Sequence, residues 1–348
     1  MKGQISAVLR GLSVSKRVAV VAILCGLLGM VPYLARTQEQ NEGEETTQQA
    51  PLTGVTTSTQ NPLQIALLRW YDANLTTHFR VGREPFGVAF AGTTIWVTNK
   101  ADNTVMELQA NDGGLLGTFG VGTGPLGVAF DGAHIWVANQ QSNTVTKLQA
   151  SDGAVLGTFG GVSTPFGVAF DGTDIWVTDG TPEGNVTKLR ASDGAVLGSF
   201  PVGRLASAVL FDGTNIWVAN YGSNTVTKLG TSGGVRGTFG VGIKPIGLAF
   251  DGANIWVSNS GSNTVTKLRA SDGSELGTFG VGARPEGITY DGANIWVANQ
   301  NSNNVIKLRA SNGTRLGTFS VGVGPFGVAF DGANVWVTNL GSKTVSKL

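Results

Sequence analysis

The chain has 348 residues, of which 52 are glycine (about 15%), with 14% charged residues and a formal net charge of +1. A hydrophobic content of 41% supplies enough apolar surface for a sizeable core and excludes a disordered chain. Glycine without a three-residue period excludes collagen, and so much of it argues against a helical bundle. The composition reads as an all-β protein with many tight turns.

At the N-terminus, Lys2, Arg10, Lys16 and Arg17 precede an apolar run over residues 18–31, closed by Pro32, Tyr33, Leu34 and Ala35. A basic stretch followed by an apolar one has the form of a secretory signal. With residues 32–35 included, the run is long enough for an uncleaved membrane anchor. Tyr33 and Ala35 make a poor small-x-small cleavage site, which favours the anchor. The four basic residues place that end in the cytoplasm and everything after residue 35 outside it. The expected location is extracytoplasmic: periplasmic, cell-surface or secreted. The single cysteine, Cys25, lies within this segment, so the exported part has no disulfide to lean on.

Residues 36–62 are polar, with Pro and Thr and few large apolar side chains, and read as a flexible spacer. From residue 63 onward, 19 basic residues face 19 acidic ones. A domain so nearly neutral lacks the basic footprint expected of a nucleic-acid binder.

Residues 63–348 form a repeat. Trp96, Trp136, Trp176, Trp217, Trp256, Trp296 and Trp336 follow one another at intervals of 39–41 residues. Each sits in a near-copy of VGxxPxGVAFDGxxIWVxNxxSNTVTKLxASDGxxLGTF. The two one-residue indels fall at 179–185 and 230–234, both in turns. In the second unit, β-rich runs at 126–130, 135–138, 144–148 and 155–159 are separated by the Asp131-Gly132 and Asp152-Gly153 hairpin signals and by Gln140–Asn143. Asn143 there suits a local side-chain turn.

Four antiparallel strands per unit, repeated radially, predict an all-β, seven-bladed β-propeller with four-stranded blades. The bulky and tiny residues alternating along Phe86-Gly87-Val88-Ala89-Phe90 suggest that the large face of each innermost strand packs on the small face of the next. The last unit ends after its third strand, and residues 75–82 (LTTHFRVG) align with the fourth strand of the first unit at 115–122 (LLGTFGVG). The N-terminal strand is therefore expected to complete the last blade.

IWVTN, SNTV and VGxxPxGVAF resemble the YVTN-type β-propeller repeat, with Trp96 where that signature has tyrosine. The resemblance covers residues 75–348 and implies a propeller of a kind found in surface-layer and periplasmic proteins. More distantly, the chain is similar to virginiamycin B lyase-like propellers. That likeness implies an alternative function as a metal-dependent C–O lyase using His and Glu around the channel. This chain has only His78 and His134, expected at positions that do not converge, and Asn99, Asn139, Asp179, Asn220, Asn259, Asn299 and Asn339 where a lyase-like blade has glutamate.

Features shared by nearly all units read as structural: the tryptophans, the SNT loops, and the Asp-Gly turns at Asp131, Asp171, Asp212, Asp251, Asp291 and Asp331, a series that Ala91 interrupts. Lys147, Lys188, Lys228, Lys267, Lys307 and Lys347 recur on the third strand and read as a solvated face. Departures from the repeat are the better guide to function. Arg83 and Glu84 are expected to cancel each other. Arg204, Lys244 and Arg284 fall in consecutive units, Glu286 replaces an apolar residue, and Tyr221 lies in a loop at the same end.

These five residues outline a weakly basic, partly aromatic pocket for an anionic or carbohydrate-like ligand. Against it stands simple rim charge, with Arg284 and Glu286 paired in water. The sequence has no nucleophile constellation or phosphate loop, so no catalytic residue, metal or cofactor is expected. The expectation is a monomeric, membrane-tethered binding or scaffolding module. Its partner would be an envelope protein, a glycan or a small anionic ligand.

Overall fold

The computed structural model describes residues 77–348. The signal or anchor at 1–35 and the spacer at 36–62 lie outside them. Seven four-stranded antiparallel sheets form, six of them each from one continuous stretch of the repeat. Blade one comprises Pro85–Ala91, Thr94–Asn99, Thr104–Gln109 and Leu115–Gly120, innermost to outermost. Blade seven takes its outermost strand, His78–Arg80, from the N-terminal side, with Phe79 opposite Val345 of the strand Thr344–Lys347. Among the described residues no helix is long and apolar enough to cross a membrane.

The repeat forms blades because each turn residue answers a local demand. Gly132, after Asp131, has φ +100, a conformation that costs glycine nothing. The preceding aspartate does more than turn the chain. In six blades its Oδ2 accepts the indole N–H, as in Trp176 to Asp171 (2.7 Å) and Trp256 to Asp251 (2.8 Å). At Asp171, Asp251, Asp291 and Asp331 burial raises the carboxyl pKa, but the tryptophan N–H and the turn hydrogen bonds outweigh it and hold these groups below the usual range.

The core lies between blades as seven separate clusters. Trp176 and Val186 of blade three pack on Ile216, Val218 and Leu229 of blade four. Trp336 and Val345 of blade seven pack on Ile95, Val97 and Leu108 of blade one, which closes the ring. Each tryptophan is covered on its outer side by a phenylalanine of the fourth strand, Phe79 serving Trp336 at 5.5 Å between centroids.

Along the innermost strands the contact is closer than the packing of large on small faces anticipated from sequence. A Cβ at Gly87 would stand 2.3 Å from the Leu126 carbonyl oxygen of the next blade, and one at Gly287 2.2 Å from that of Phe326. Glycine is there because backbone meets backbone. Thr98 and Thr338 use the gap, donating from Oγ1 to the carbonyls of Leu126 and Phe86 in the next blade at 2.7 Å.

Two expectations are corrected. The third-strand lysines do not form a solvated face. Lys147, Lys228 and Lys267 are buried, with Nζ 4.9–5.1 Å from the ring centroid of their own blade's tryptophan. Five ammoniums reach into the following blade: Lys147 to the carbonyl of Ala191, Lys188 to Thr231, Lys228 to Ala270, Lys267 to Ala310 and Lys347 to Ala110, at 2.6–3.0 Å, while Lys307 lies over Trp296 and 3.7 Å from Asp291. The distance along the chain, 43 residues for Lys267 and Ala310, is what hides this role from a local reading.

The SNT asparagines are likewise more than local turns. Asn143, at φ +55, accepts from its side chain the amide of Thr164 in the loop leading to the next blade.

Lys228→Met keeps the aliphatic stem but removes an ammonium that makes two hydrogen bonds and a cation–π contact. It is expected to lower stability by about 2–3 kcal/mol, measured as a reduced urea midpoint with an unchanged β-sheet circular-dichroism spectrum.

Candidate functional site

At the end of the propeller where the PxG loops meet, the innermost strands bring one residue from each blade to the axis: Phe86, Leu126, Phe166, Ser207, Ile246, Glu286 and Phe326. Beneath them runs a channel of about 230 Å³, lined by backbone at glycines such as Gly87 and Gly127 and by side chains that include Val88, Val128, Val168, Leu248 and Ile288. Phe86 and Phe326 approach to 3.8 Å between centroids, and Phe166 meets Phe86 edge-on at 5.6 Å. Between this aromatic floor and the rim lies a second cavity of about 310 Å³, whose walls include Leu205, Ser207, Tyr221, Ile246, Arg284 and Glu286.

Glu286 is the chemical centre of that cavity. It is only 3% exposed, and its Oε1 accepts from Nε of Arg284 at 2.7 Å, the arginine side chain being 52% exposed. Burial pushes the Glu286 carboxyl up to about 7, with the Arg284 hydrogen bond and charge opposing. The pair is therefore a buried acid with a half-exposed arginine over it, rather than two rim charges meeting in water.

The loop that carries Arg284 is held from both sides. Arg284 has φ +54, an uncommon conformation for a residue with a Cβ. Its N–H is accepted by Oδ1 of Asn263 in the preceding blade (2.8 Å), and its carbonyl accepts the Gln300 amide (2.9 Å). Lys244, at φ +57, is clamped in the same way by Asn224 and Ser260. The same left-handed turn recurs at this position in the other blades, from Glu84 (φ +50) to Gly324 (φ +66), so it belongs to the repeat and fixes where the Lys244 and Arg284 side chains start.

Of the five residues singled out from sequence, Tyr221, Arg284 and Glu286 come together in the cavity. Lys244 borders it indirectly, its Nζ 5.6 Å from the Tyr221 ring centroid. Arg204 is exposed and lines no part of it. The three bases thus do not form one arc.

Ser207 takes the place of an apolar residue on the floor, and its single hydroxyl proton is shared between the carbonyls of Ala219 and Pro245, each at 3.1 Å. The pair Arg83 and Glu84 also separates: Arg83 bonds Asp102, while Glu84 lies 3.9 Å from Lys100. Adjacent side chains diverge there because Glu84 is left-handed, at φ +50. What sequence reasoning missed is the floor itself. Phe86, Phe166 and Phe326 recur in the repeat and read as structural, and only a closed ring turns their shared position into one surface.

His78 lies exposed on the outermost strand of blade seven. His134 opens the second strand of blade two, with Nδ1 3.1 Å from Asp131 Oδ2. The two do not converge, and among the described residues no three His, Cys, Asp or Glu side chains are grouped to hold a metal.

No family model matches the chain, and no curated protein matches it. Among solved structures it is similar to Kuenenia stuttgartiensis hydrazine synthase, with a TM-score of 0.68 and 17% identity over 79% of this chain and 98% of that one. It is also similar to a streptogramin B lyase, with a TM-score of 0.67 and 19% identity over 78% of this chain and 95% of that one. It is a seven-bladed β-propeller. At such identities the likeness extends to the fold alone, and the YVTN-type resemblance rests on the repeat residues themselves.

The raised Glu286 carboxyl gives a stability signature with a defined sign. Below about pH 4 the group is protonated both folded and unfolded, and it costs nothing. As pH rises from there toward 7, the unfolded chain ionises while the fold does not, and stability falls. Glu286→Gln is therefore expected to stabilise the protein by about 2–3 kcal/mol above pH 7 and hardly at all at pH 4. Denaturation midpoints at the two pH values check this.

Proposed function

We propose that this protein is a non-enzymatic binding module of the cell envelope. On this reading it is exported and held at the membrane by residues 18–35, and it takes a small carbohydrate-like ligand in the axial cavity, where Tyr221 of blade four and Arg284 and Glu286 of blade six supply the polar wall. The observation that carries the proposal is Glu286, a buried carboxyl bonded to Arg284, set in the ring of phenylalanines and sharing its cavity with Tyr221. At about 310 Å³ the cavity has the volume of a small-ligand site.

Aromatic faces suit the C–H faces of a sugar ring, while a carboxyl and a guanidinium at one edge suit hydroxyls that donate and accept. A small anion is served less well, because the guanidinium nearest the cavity already has its counter-ion. The basic and apolar stretches at residues 2–31 support export and tethering.

The test is a saccharide panel measured by isothermal titration calorimetry on the full chain, beside Tyr221→Ala and Glu286→Gln. A saturating saccharide is expected to lose about tenfold or more in affinity with either substitution, each removing about 1.4 kcal/mol or more. Binding unchanged in both variants, or no saccharide bound at all, rejects this site.

A further inference from the structure

Blade one departs from the other six at the place where the lysine ammonium sits. Glu107 stands opposite Trp96 in the register in which Lys147 stands opposite Trp136. The aspartate that receives the indole N–H elsewhere is Ala91 here, and Trp96 donates instead to Thr94 Oγ1 at 3.0 Å. One blade has thus lost both the cation and its partner acid, and has gained a carboxyl in the cation's place.

Between blades one and two a cavity of about 500 Å³ lies at this point. Antiparallel pairing puts it at the opposite end of the propeller from the Glu286 cavity. Its walls include Glu107, Thr94, Leu116 and Phe119 from blade one, and Ala150, Ser151 and Asp152 from blade two. Ala150 and Ser151 hold the turn positions that Ala191 and Ser192 hold in blade three, whose carbonyls both receive the Lys147 ammonium. The same pair of acceptors serves Lys228 at Ala270 and Ser271, and Lys347 at Ala110 and Asn111. At Ala150 and Ser151 the same turn recurs, and no lysine among the described residues donates to it.

Glu107 is only 7% exposed, and among the described residues no basic side chain lies within salt-bridge distance of it. Burial raises its carboxyl above the usual range, with a hydrogen bond from Thr94 opposing. A buried carboxylate without a counter-ion is costly, and the cost is relieved when a cation enters.

We propose that the cavity between blades one and two binds a primary ammonium group on an alkyl chain, taken from outside the protein. Glu107 is its counter-ion, and the carbonyls of Ala150 and Ser151 are its further acceptors. One carboxylate and two carbonyls match the three N–H donors of an alkylammonium. Leu116 and Phe119 give the alkyl chain an apolar wall. Five other blade interfaces use such acceptors for an ammonium already, so the ligand class is read from the protein's own repeats. A metal ion fits less well. Asp152 is the one further carboxylate among the cavity walls, and its Oδ1 already accepts the Ala154 amide.

The experiment titrates the full chain with n-butylammonium chloride, 1,5-diaminopentane, Nα-acetyl-lysine methylamide, n-butanol and calcium chloride, followed by calorimetry and saturation-transfer NMR. Saturable binding of an alkylammonium, weakened at least tenfold by Glu107→Gln and abolished by Glu107→Lys, is the expected result. Glu107→Lys with Ala91→Asp rebuilds the pattern of the other blades, and its thermal midpoint is expected to rise as a tethered ammonium fills the cavity.

Preference for the diamine identifies a free small amine as the natural ligand, and preference for the lysine derivative identifies a lysine of a partner protein. The proposal is overturned if no amine saturates, if Glu107→Gln binds as well as the native chain, if n-butanol binds equally, or if calcium saturates and the amines do not. Glu107→Gln is nearly isosteric, so its comparison with the native chain stands even if Glu107→Lys does not fold.

Discussion

A buried ammonium held between two blades is the interaction on which much of this propeller depends. Each sheet is a short antiparallel meander, and each must find its core on a neighbour, because a single four-stranded blade buries too little by itself. The clusters that unite tryptophan and valine of one blade with isoleucine, valine and leucine of the next supply the apolar part. Apolar packing is non-directional, however, and the lysine adds direction. Its stem crosses the tryptophan face, and its head reaches the turn carbonyls of the following blade. An aspartate that accepts the N–H of the same indole places a negative charge nearby, with Lys267 at 3.9 Å from Asp251. In that setting a group usually found in water becomes a structural pin.

Ring closure imposes a second constraint. Seven blades must meet without a free edge, and the chain solves this by borrowing His78–Arg80 for blade seven and by bonding Thr338 of that blade to the Phe86 carbonyl of blade one. Once closed, the ring forces one residue per blade toward a common axis. That convergence creates the phenylalanine floor, and the floor in turn buries Glu286. The same residue at the rim of an isolated blade would be hydrated and ordinary.

Much of this was legible in the chain itself. Seven tryptophans at near-constant spacing gave the blade number, turn signals gave four strands per blade, and the truncated last repeat pointed to the closing strand. The departures at Tyr221, Arg284 and Glu286 marked the cavity that the fold then assembled. The lysines were misjudged because their partners lie in the next blade, 42–44 residues away for Lys147, Lys228 and Lys267 and 237 for Lys347 across the ring closure. Arg83 and Glu84 were misjudged because a left-handed residue sends neighbouring side chains apart. Glu107 was overlooked because its meaning depends on Ala91, on Trp96 and on a turn in blade two.

By itself, then, the sequence determined the repeat, the number and order of strands, the turns and the manner of closure. These follow from short patterns copied seven times, and each copy carries its own local reasons. Only the tertiary structure decided which charges are buried and what they face. Burial is a property of the contact between one blade and the next, made by residues distant in the chain, and no local pattern states what will stand opposite.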